Sequence, residues 1–109
     1  MKISIPMEGG EVSQHFGHTP EFAIFTVENG KIVSRETLKN PGHEPGLIPK
    51  LMSQNGVNVV ITGGVGRKAV DLFDEMNITV ISGVCGTVED AIQGYLAGKL
   101  VAGKNLCDH

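Results

Sequence analysis

The sequence predicts an α/β fold in three layers, with helices on both faces of a mixed five-stranded sheet. An Asn29-Gly30 pair joins two strand-like segments in the N-terminal half. A nearly continuous apolar run at residues 57–62 is typical of a strand that is buried on both faces. The second half then alternates strand and helix patterns, which requires parallel strands with a right-handed crossover.

The N-terminal half predicts three strands, two of them in a hairpin. Residues 2–6 alternate polar and apolar side chains and predict a short first strand that ends at Pro6. Residues 21–28 are rich in aromatic and β-branched side chains and predict the second strand. Because a type I′ turn needs positive φ at both central residues, Asn29-Gly30 predicts that residues 31–38 return as the antiparallel third strand.

The C-terminal half predicts three helices and two parallel strands. Residues 47–52 carry an apolar helix face that ends before Asn55-Gly56, and residues 66–76 carry apolar side chains at helical spacing. Residues 78–82 predict the fifth strand, and Thr87 is the expected N-cap of the last helix. Numbered along the chain, the predicted strand order is 3-2-1-4-5, because this order places the first strand beside the buried apolar run.

The size and charge of the chain exclude several classes of protein. Its 109 residues predict one domain spanning residues 1–109, with residues 104–109 as a tail that lacks order. No apolar run reaches the ~18–20 residues of a membrane helix, and the first residues do not resemble a signal peptide, so a cytoplasmic location is expected. The net charge of −3 argues against nucleic acid as a partner. We expect a monomer or a weak homo-oligomer.

Two glycine-rich loops follow the predicted parallel strands, one at residues 63–66 and one at residues 83–86. The carboxyl ends of parallel strands meet at one edge of a sheet, which is the usual ligand site. Residues 64–69 match the pattern G-x-G-x-x-A before a helix, but the next strand ends without the carboxylate that would hold a ribose. Main-chain N–H groups beside Arg67 favour some anion. The alternative is that the glycines only make a tight turn.

Histidine and cysteine residues all fall in predicted loops or in the C-terminal tail. His15 and His18 are separated by Phe16-Gly17, and Cys85 comes just before a helix. Imidazole is a common metal ligand, and a helix N-terminus favours the thiolate. The candidate metal ligands are therefore His15, His18, His43, Cys85, Cys107 and His109. The spacing does not match a zinc finger or ribbon, and surface histidines, a buried small thiol and a frayed tail remain the alternatives.

Several of these segments together resemble one known family, that of dinitrogenase iron–molybdenum cofactor biosynthesis, which includes NifX/NafY-like domains and the domain at the end of NifB. The segments are Ile3-Ser4-Ile5-Pro6, His15-Phe16-Gly17-His18, Glu21-Phe22, Gly63-Gly64-Val65-Gly66 and residues 83–91. The resemblance covers essentially the whole chain. It implies a ribonuclease H-like fold and a carrier that binds the iron–molybdenum cofactor or an iron–sulfur precursor without catalysing a reaction.

The resemblance also implies a binding site and partners. The candidate cofactor-binding residues are His15, Gly17, His18, Gly63, Gly64, Gly66 and Arg67. The expected partners are a metal cluster and cluster-assembly proteins, with no nucleic acid and no membrane. A phosphate- or nucleotide-binding domain and a ligand-free interaction domain are the alternatives.

Overall fold

The computed structural model of the protein describes residues 1–42 and 46–100. Its strands are β1 (Lys2–Glu8), β2 (Glu11–Val12), β3 (Glu21–Glu28), β4 (Lys31–Lys39), β5 (Val59–Ile61) and β6 (Thr79–Ile81). Its helices are α1 (Leu47–Gln54), α2 (Arg67–Glu75) and α3 (Val88–Leu96), with a 3-10 turn at Phe16–His18. The expected tail at residues 104–109 lies outside the described residues.

The sheet has the predicted order of five strands, β4-β3-β1-β5-β6, which is the ribonuclease H-like order 3-2-1-4-5. β1 is antiparallel to β3 and parallel to β5, and β5 is parallel to β6. The predicted count of five strands is exceeded by one, since β2 pairs with the end of β1. The sequence indicates only a brief extended piece at residues 11–13, because two residues are too few to show an alternating pattern.

The sequence predicted that the first strand ends at Pro6. In the structure, β1 continues to Glu8. β5 pairs with β1 only at Ile3 and Ser4, so the missing N–H of Pro6 breaks no bond to β5. The carbonyl oxygen of Pro6 accepts the N–H of Ser13 at 2.8 Å instead. The chain that returns after β2 is thereby held against the end of β1.

The hairpin between β3 and β4 has the predicted turn. Asn29 has a φ of 53° and Gly30 a φ of 76°, as a type I′ turn requires. β4 lies at the edge of the sheet, and all but one of its side chains are exposed. The buried part of the sheet is therefore formed by β1, β3 and β5 rather than by β4.

Two apolar cores lie on opposite faces of the sheet. α3 covers one face, where its residues Val88, Ala91 and Ile92 pack against the odd-numbered apolar side chains of β1 and β3. α1 and α2 cover the other face, where Met52 and Phe73 are fully buried. The predicted arrangement in three layers is confirmed. Separately, none of the described helices has the length and apolar character needed to cross a membrane.

The predicted cap of α3 is confirmed. The Thr87 hydroxyl accepts the N–H of Asp90 at 3.1 Å, and Gly98 follows the helix with a φ of 75°. Val88 also donates its N–H to the carbonyl oxygen of Gly10. The start of α3 is therefore held against the turn between β1 and β2, at the edge where the parallel strands end.

Candidate functional site

Three loops meet where the parallel strands end. Val12 donates its N–H to Gly86 at 2.9 Å, and Gly83 donates to Gly63 at 2.8 Å. Gly63 in turn donates to the carbonyl oxygen of Ser13 at 3.2 Å. β2 and the loop after it therefore contact both the loop after β5 and the loop after β6, at the edge where these loops were expected to meet.

A buried phenylalanine holds the histidine-containing turn against the core. Phe16 is 4% exposed, and its ring meets those of Phe22 and Phe73 edge-on at centroid distances of 5.7 and 5.5 Å. Because Phe16 points inward, the flanking His15 and His18 are exposed. Since Phe73 belongs to α2, the same contact joins the turn to the helix that follows the glycine loop.

Polar side chains fix both ends of this turn. The Ser13 hydroxyl accepts the N–H of His15 at 3.2 Å and donates to its carbonyl oxygen at 3.3 Å. The Asn40 amide donates to the carbonyl oxygen of Thr19 at 2.7 Å. The buried Thr19 hydroxyl lies 3.0 Å from the carbonyl oxygen of Met7. The position of both imidazoles thus depends on three separate parts of the chain.

A cavity of about 360 Å³ lies between this turn and the glycine loop after β5; we call it the histidine cavity. Its lining residues are Gln14, His15, Phe16, Gly17, His18, Gly64, Val65 and Gly66. Five of the seven residues expected to bind a cofactor thus line one cavity, although they are separated by almost fifty positions in the sequence. Gly63 and Arg67 lie beside it and do not line it.

The main-chain N–H groups of Gly63 and Gly64 are not free for an anion, contrary to the sequence-based interpretation. They donate to the carbonyl oxygens of Ser13 and Gln14, the latter at 3.0 Å. A Cβ at Gly64 would lie 2.4 Å from that Gln14 oxygen, and a Cβ at Gly63 would lie 2.5 Å from the Gln14 side chain. Gly64 is therefore required for the close approach of the two loops, and a side chain at position 63 would displace the Gln14 amide.

α2 begins beside the histidine cavity without a capping side chain. Gly66 is its N-cap residue, and its carbonyl oxygen accepts the N–H of Val70. The first N–H groups of a helix have no acceptor within the helix, so they favour negative charge in front of them. Arg67 adds an exposed positive charge: its side chain is 91% exposed, and its Nε lies 3.6 Å from a carboxylate oxygen of Asp71.

The other expected metal ligands do not join the two histidines. Cys85 is a half-buried free thiol in the loop after β6 and does not line the histidine cavity. His43, Cys107 and His109 lie outside the described residues. Within residues 1–42 and 46–100, no three His, Cys, Asp or Glu side chains form a group that could hold a metal ion.

Gln14 is the residue of this site that the sequence did not indicate. Its amide Nε2 donates to the carbonyl oxygens of Val12 and Val84, at 3.3 and 3.2 Å. Its own carbonyl oxygen accepts from Gly64. Gln14 therefore joins all three loops, yet nothing in its type or its neighbours distinguishes it from an ordinary polar loop residue.

Comparison with known families identifies the chain. The model of the dinitrogenase iron–molybdenum cofactor family matches residues 1–98, which include every described residue of the site. The chain belongs to this family. The family resemblance of the sequence segments around His15 and Gly64 is thereby confirmed.

Similar proteins share the whole fold. An uncharacterized protein of Methanocaldococcus jannaschii, MJ0580, is 32% identical over 105 residues, which are 92% of this chain and 89% of that protein. The crystal structure of PH0822 has a TM-score of 0.87 at 32% identity and covers 94% of this chain and 95% of the other. The apo form of the orange protein from Desulfovibrio gigas has a TM-score of 0.81 at 23% identity over 98% and 96% of the chains, and this likeness concerns the fold alone.

Proposed function

We propose that the protein is a small non-catalytic carrier that binds an iron–molybdenum cofactor or a related iron–sulfur cluster in the histidine cavity and passes it to cluster-assembly proteins. Membership of the cofactor family supports the class of ligand. The observation that carries the proposal is the convergence of His15 and His18 with the glycine loop after β5 on one open cavity.

Two exposed imidazoles supply the metal-binding chemistry. Neutral imidazole is a common ligand for iron, and His15 and His18 both line the cavity. Phe16 between them is buried, so the two rings are presented from one rigid turn rather than from a flexible loop. We therefore assign His15 and His18 as the direct ligands.

The start of α2 supplies complementarity to negative charge. Metal–sulfur clusters carry sulfide at their surface, and sulfide accepts hydrogen bonds from main-chain N–H groups. Gly66 and Arg67 lie at the N-terminus of α2, where the sulfide surface of a cluster would meet the helix. We assign them to the anionic side of the cluster and His15 and His18 to its metal side.

The small number of protein ligands suits a carrier. A closed metal site uses about four protein ligands, whereas the described part of this chain brings no three together. A cluster held by two imidazoles and surface complementarity is released more readily than one enclosed by four thiolates. Cys85 does not line the histidine cavity and is assigned as an accessory thiol rather than a direct ligand.

The test is cluster binding by protein purified without oxygen. Ferrous iron with sulfide, and separately tetrathiomolybdate, are added to the wild-type chain, and visible spectra and metal content are recorded after desalting. We expect metal–sulfur charge-transfer bands that are retained by the wild type and lost in His15→Ala and His18→Ala. Cys85→Ser is the matched comparison, and we expect it to retain most of the bound metal.

Two results would contradict the proposal. A wild-type protein that retains neither iron nor molybdenum would favour a ligand-free interaction domain. A rise in thermal stability with millimolar nucleotides, but none with clusters, would favour a phosphate site at the start of α2.

A further inference from the structure

The glycines around the histidine cavity fall into two groups. Gly63 and Gly64 are explained within the protein, because a side chain at either position would overlap Gln14. Gly17 and Gly66 also lie at the cavity, one on each side of it. For these two, a Cβ would have no described atom within 4 Å.

Backbone conformation does not explain Gly17 and Gly66 either. Gly66 has a φ of −74° and a ψ of 153°, which any residue adopts. Gly17 is not among the residues with positive φ. Most of the other described glycines have a positive φ, as in the Gly30 turn, or lie at a close approach, as at Gly64, whereas Gly94 in α3 has neither.

Glycine is also not the most stabilising residue for either position. Position 66 is the N-cap of α2, where a serine, threonine or aspartate would accept an N–H of the first turn, as Thr87 does for α3. Position 17 lies in a 3-10 turn, where glycine loses more conformational freedom on folding than any other residue. For neither glycine does a Cβ clash or a positive φ explain why a side chain is absent.

We propose that Gly17 and Gly66 are specificity-determining residues that leave the two walls of the histidine cavity as bare main chain, so that a compact polyatomic metal–sulfur anion packs against both. This inference rests on the proposed function and specifies the ligand further. A single metal ion bound by His15 and His18 would not reach the opposite wall and would not require glycine there. A ligand that fills a cavity of about 360 Å³ meets both walls.

The test compares a metal–sulfur anion with a single metal ion. Tetrathiomolybdate and Co²⁺ are titrated separately, by their visible spectra, into the wild type, Gly17→Ala, Gly66→Ser and the double variant. Gly94→Ala is the matched control, because Gly94 lies in α3 and a Cβ there makes only ordinary contacts with Leu100. Urea unfolding of every variant measures whether the fold is intact.

We expect the cavity variants to unfold at the same or a higher urea concentration than the wild type. The double variant should bind tetrathiomolybdate more weakly by about tenfold or more, since a side chain on each wall separates the ligand from the main chain. Co²⁺ binding should stay within about twofold of the wild type. Gly94→Ala should change neither the affinity for tetrathiomolybdate nor that for Co²⁺.

Equal tetrathiomolybdate affinity in the wild type and the double variant would overturn the inference. If His15→Ala still abolished binding in that case, the proposed carrier function would stand without it. Equal losses for tetrathiomolybdate and Co²⁺ would show that the side chains displace the histidine turn rather than the ligand. A wild type that binds neither probe would also overturn the inference, whereas the carrier function would be overturned only if iron with sulfide were not retained either.

Discussion

Gly64 donates its main-chain N–H to the carbonyl oxygen of Gln14 at 3.0 Å, and a Cβ at position 64 would lie 2.4 Å from that oxygen. The two residues belong to loops that follow different strands, β2 and β5. Phe16 returns a second bond by donating its N–H to the carbonyl oxygen of Gly64 at 3.1 Å. The glycine loop and the histidine turn are therefore joined directly by two main-chain hydrogen bonds.

Gly64→Ala is expected to destabilise the protein. The clash is with main chain, so relief requires separating the two loops and breaking the bonds between Gly64 and residues 14 and 16. We expect the free energy of unfolding to fall by about 1–3 kcal/mol, measured by urea denaturation. Gly17→Ala is the control, because a Cβ at position 17 would lie in open space. An equal loss of unfolding free energy in both variants would show that the clash with the Gln14 carbonyl oxygen is not the cause.

Phe16→Ala is expected to cost more than any other change in the histidine turn. Its ring is 4% exposed and packs edge-on against Phe22 and Phe73. Truncation leaves a cavity and removes the buried group of the turn, so we expect a loss of about 3–5 kcal/mol in the free energy of unfolding. Phe16→Leu, which retains most of the apolar volume, should lose less than half as much. A loss below about 1 kcal/mol for Phe16→Ala would show that the turn is fixed by its hydrogen bonds instead.

The sequence was sufficient to predict the fold because its elements have strong local signals. The Asn29-Gly30 turn, the Thr87 cap and the apolar run through β5 each depend on neighbouring residues, and all three are confirmed. The predicted end of β1 was wrong, because proline destabilises a strand only where a neighbouring strand needs the missing N–H as a hydrogen-bond donor. That neighbour is supplied by tertiary structure.

The candidate site was predicted in part. The sheet order alone brings the loops of His15 and Gly64 to one edge, and the cavity lining agrees with it. The role of Gln14 could not be predicted, since its contacts with Gly64 and Val84 connect positions fifty and seventy residues apart. Tertiary contacts also explain why the anion site was predicted wrongly. The main-chain N–H groups of Gly63 and Gly64 donate to the carbonyl oxygens of Ser13 and Gln14 and are not available to an anion.

Ser4→Ala is expected to stabilise the protein. Ser4 lies on β1, is fully buried, and its Oγ has no hydrogen-bond partner among the described residues. A buried hydroxyl without a partner is unfavourable, so we expect the free energy of unfolding to rise by about 1 kcal/mol. Thr19→Val is the matched control, because the Thr19 hydroxyl contacts two carbonyl oxygens at 3.0 Å. It should lower stability by about the same amount, and a loss in Ser4→Ala as well would reveal a partner for its hydroxyl.

Arg35 links the exposed edge strand to α3 through Glu89, and this contact makes stability depend on pH. The Arg35 guanidinium donates to the Glu89 carboxylate at 2.6 Å, and this bond lowers the pKa of Glu89 below its ordinary value of 4.5. A carboxyl group whose pKa is lower in the folded state stabilises that state above its unfolded pKa. The stabilisation is lost as the pH falls through the folded pKa.

The expected pH dependence is tested with Glu89→Gln, which mimics the protonated carboxyl group. At pH 7 the variant should unfold at a lower urea concentration than the wild type, and the two should converge as the pH falls below 4.5. The difference should be small and should shrink in high salt, because the Glu89 side chain is 61% exposed. Glu36→Gln is the control, since no ion pair of Glu36 is seen among the described residues. If Glu89→Gln and Glu36→Gln followed the same pH profile, the effect would come from net charge rather than from the contact with Arg35.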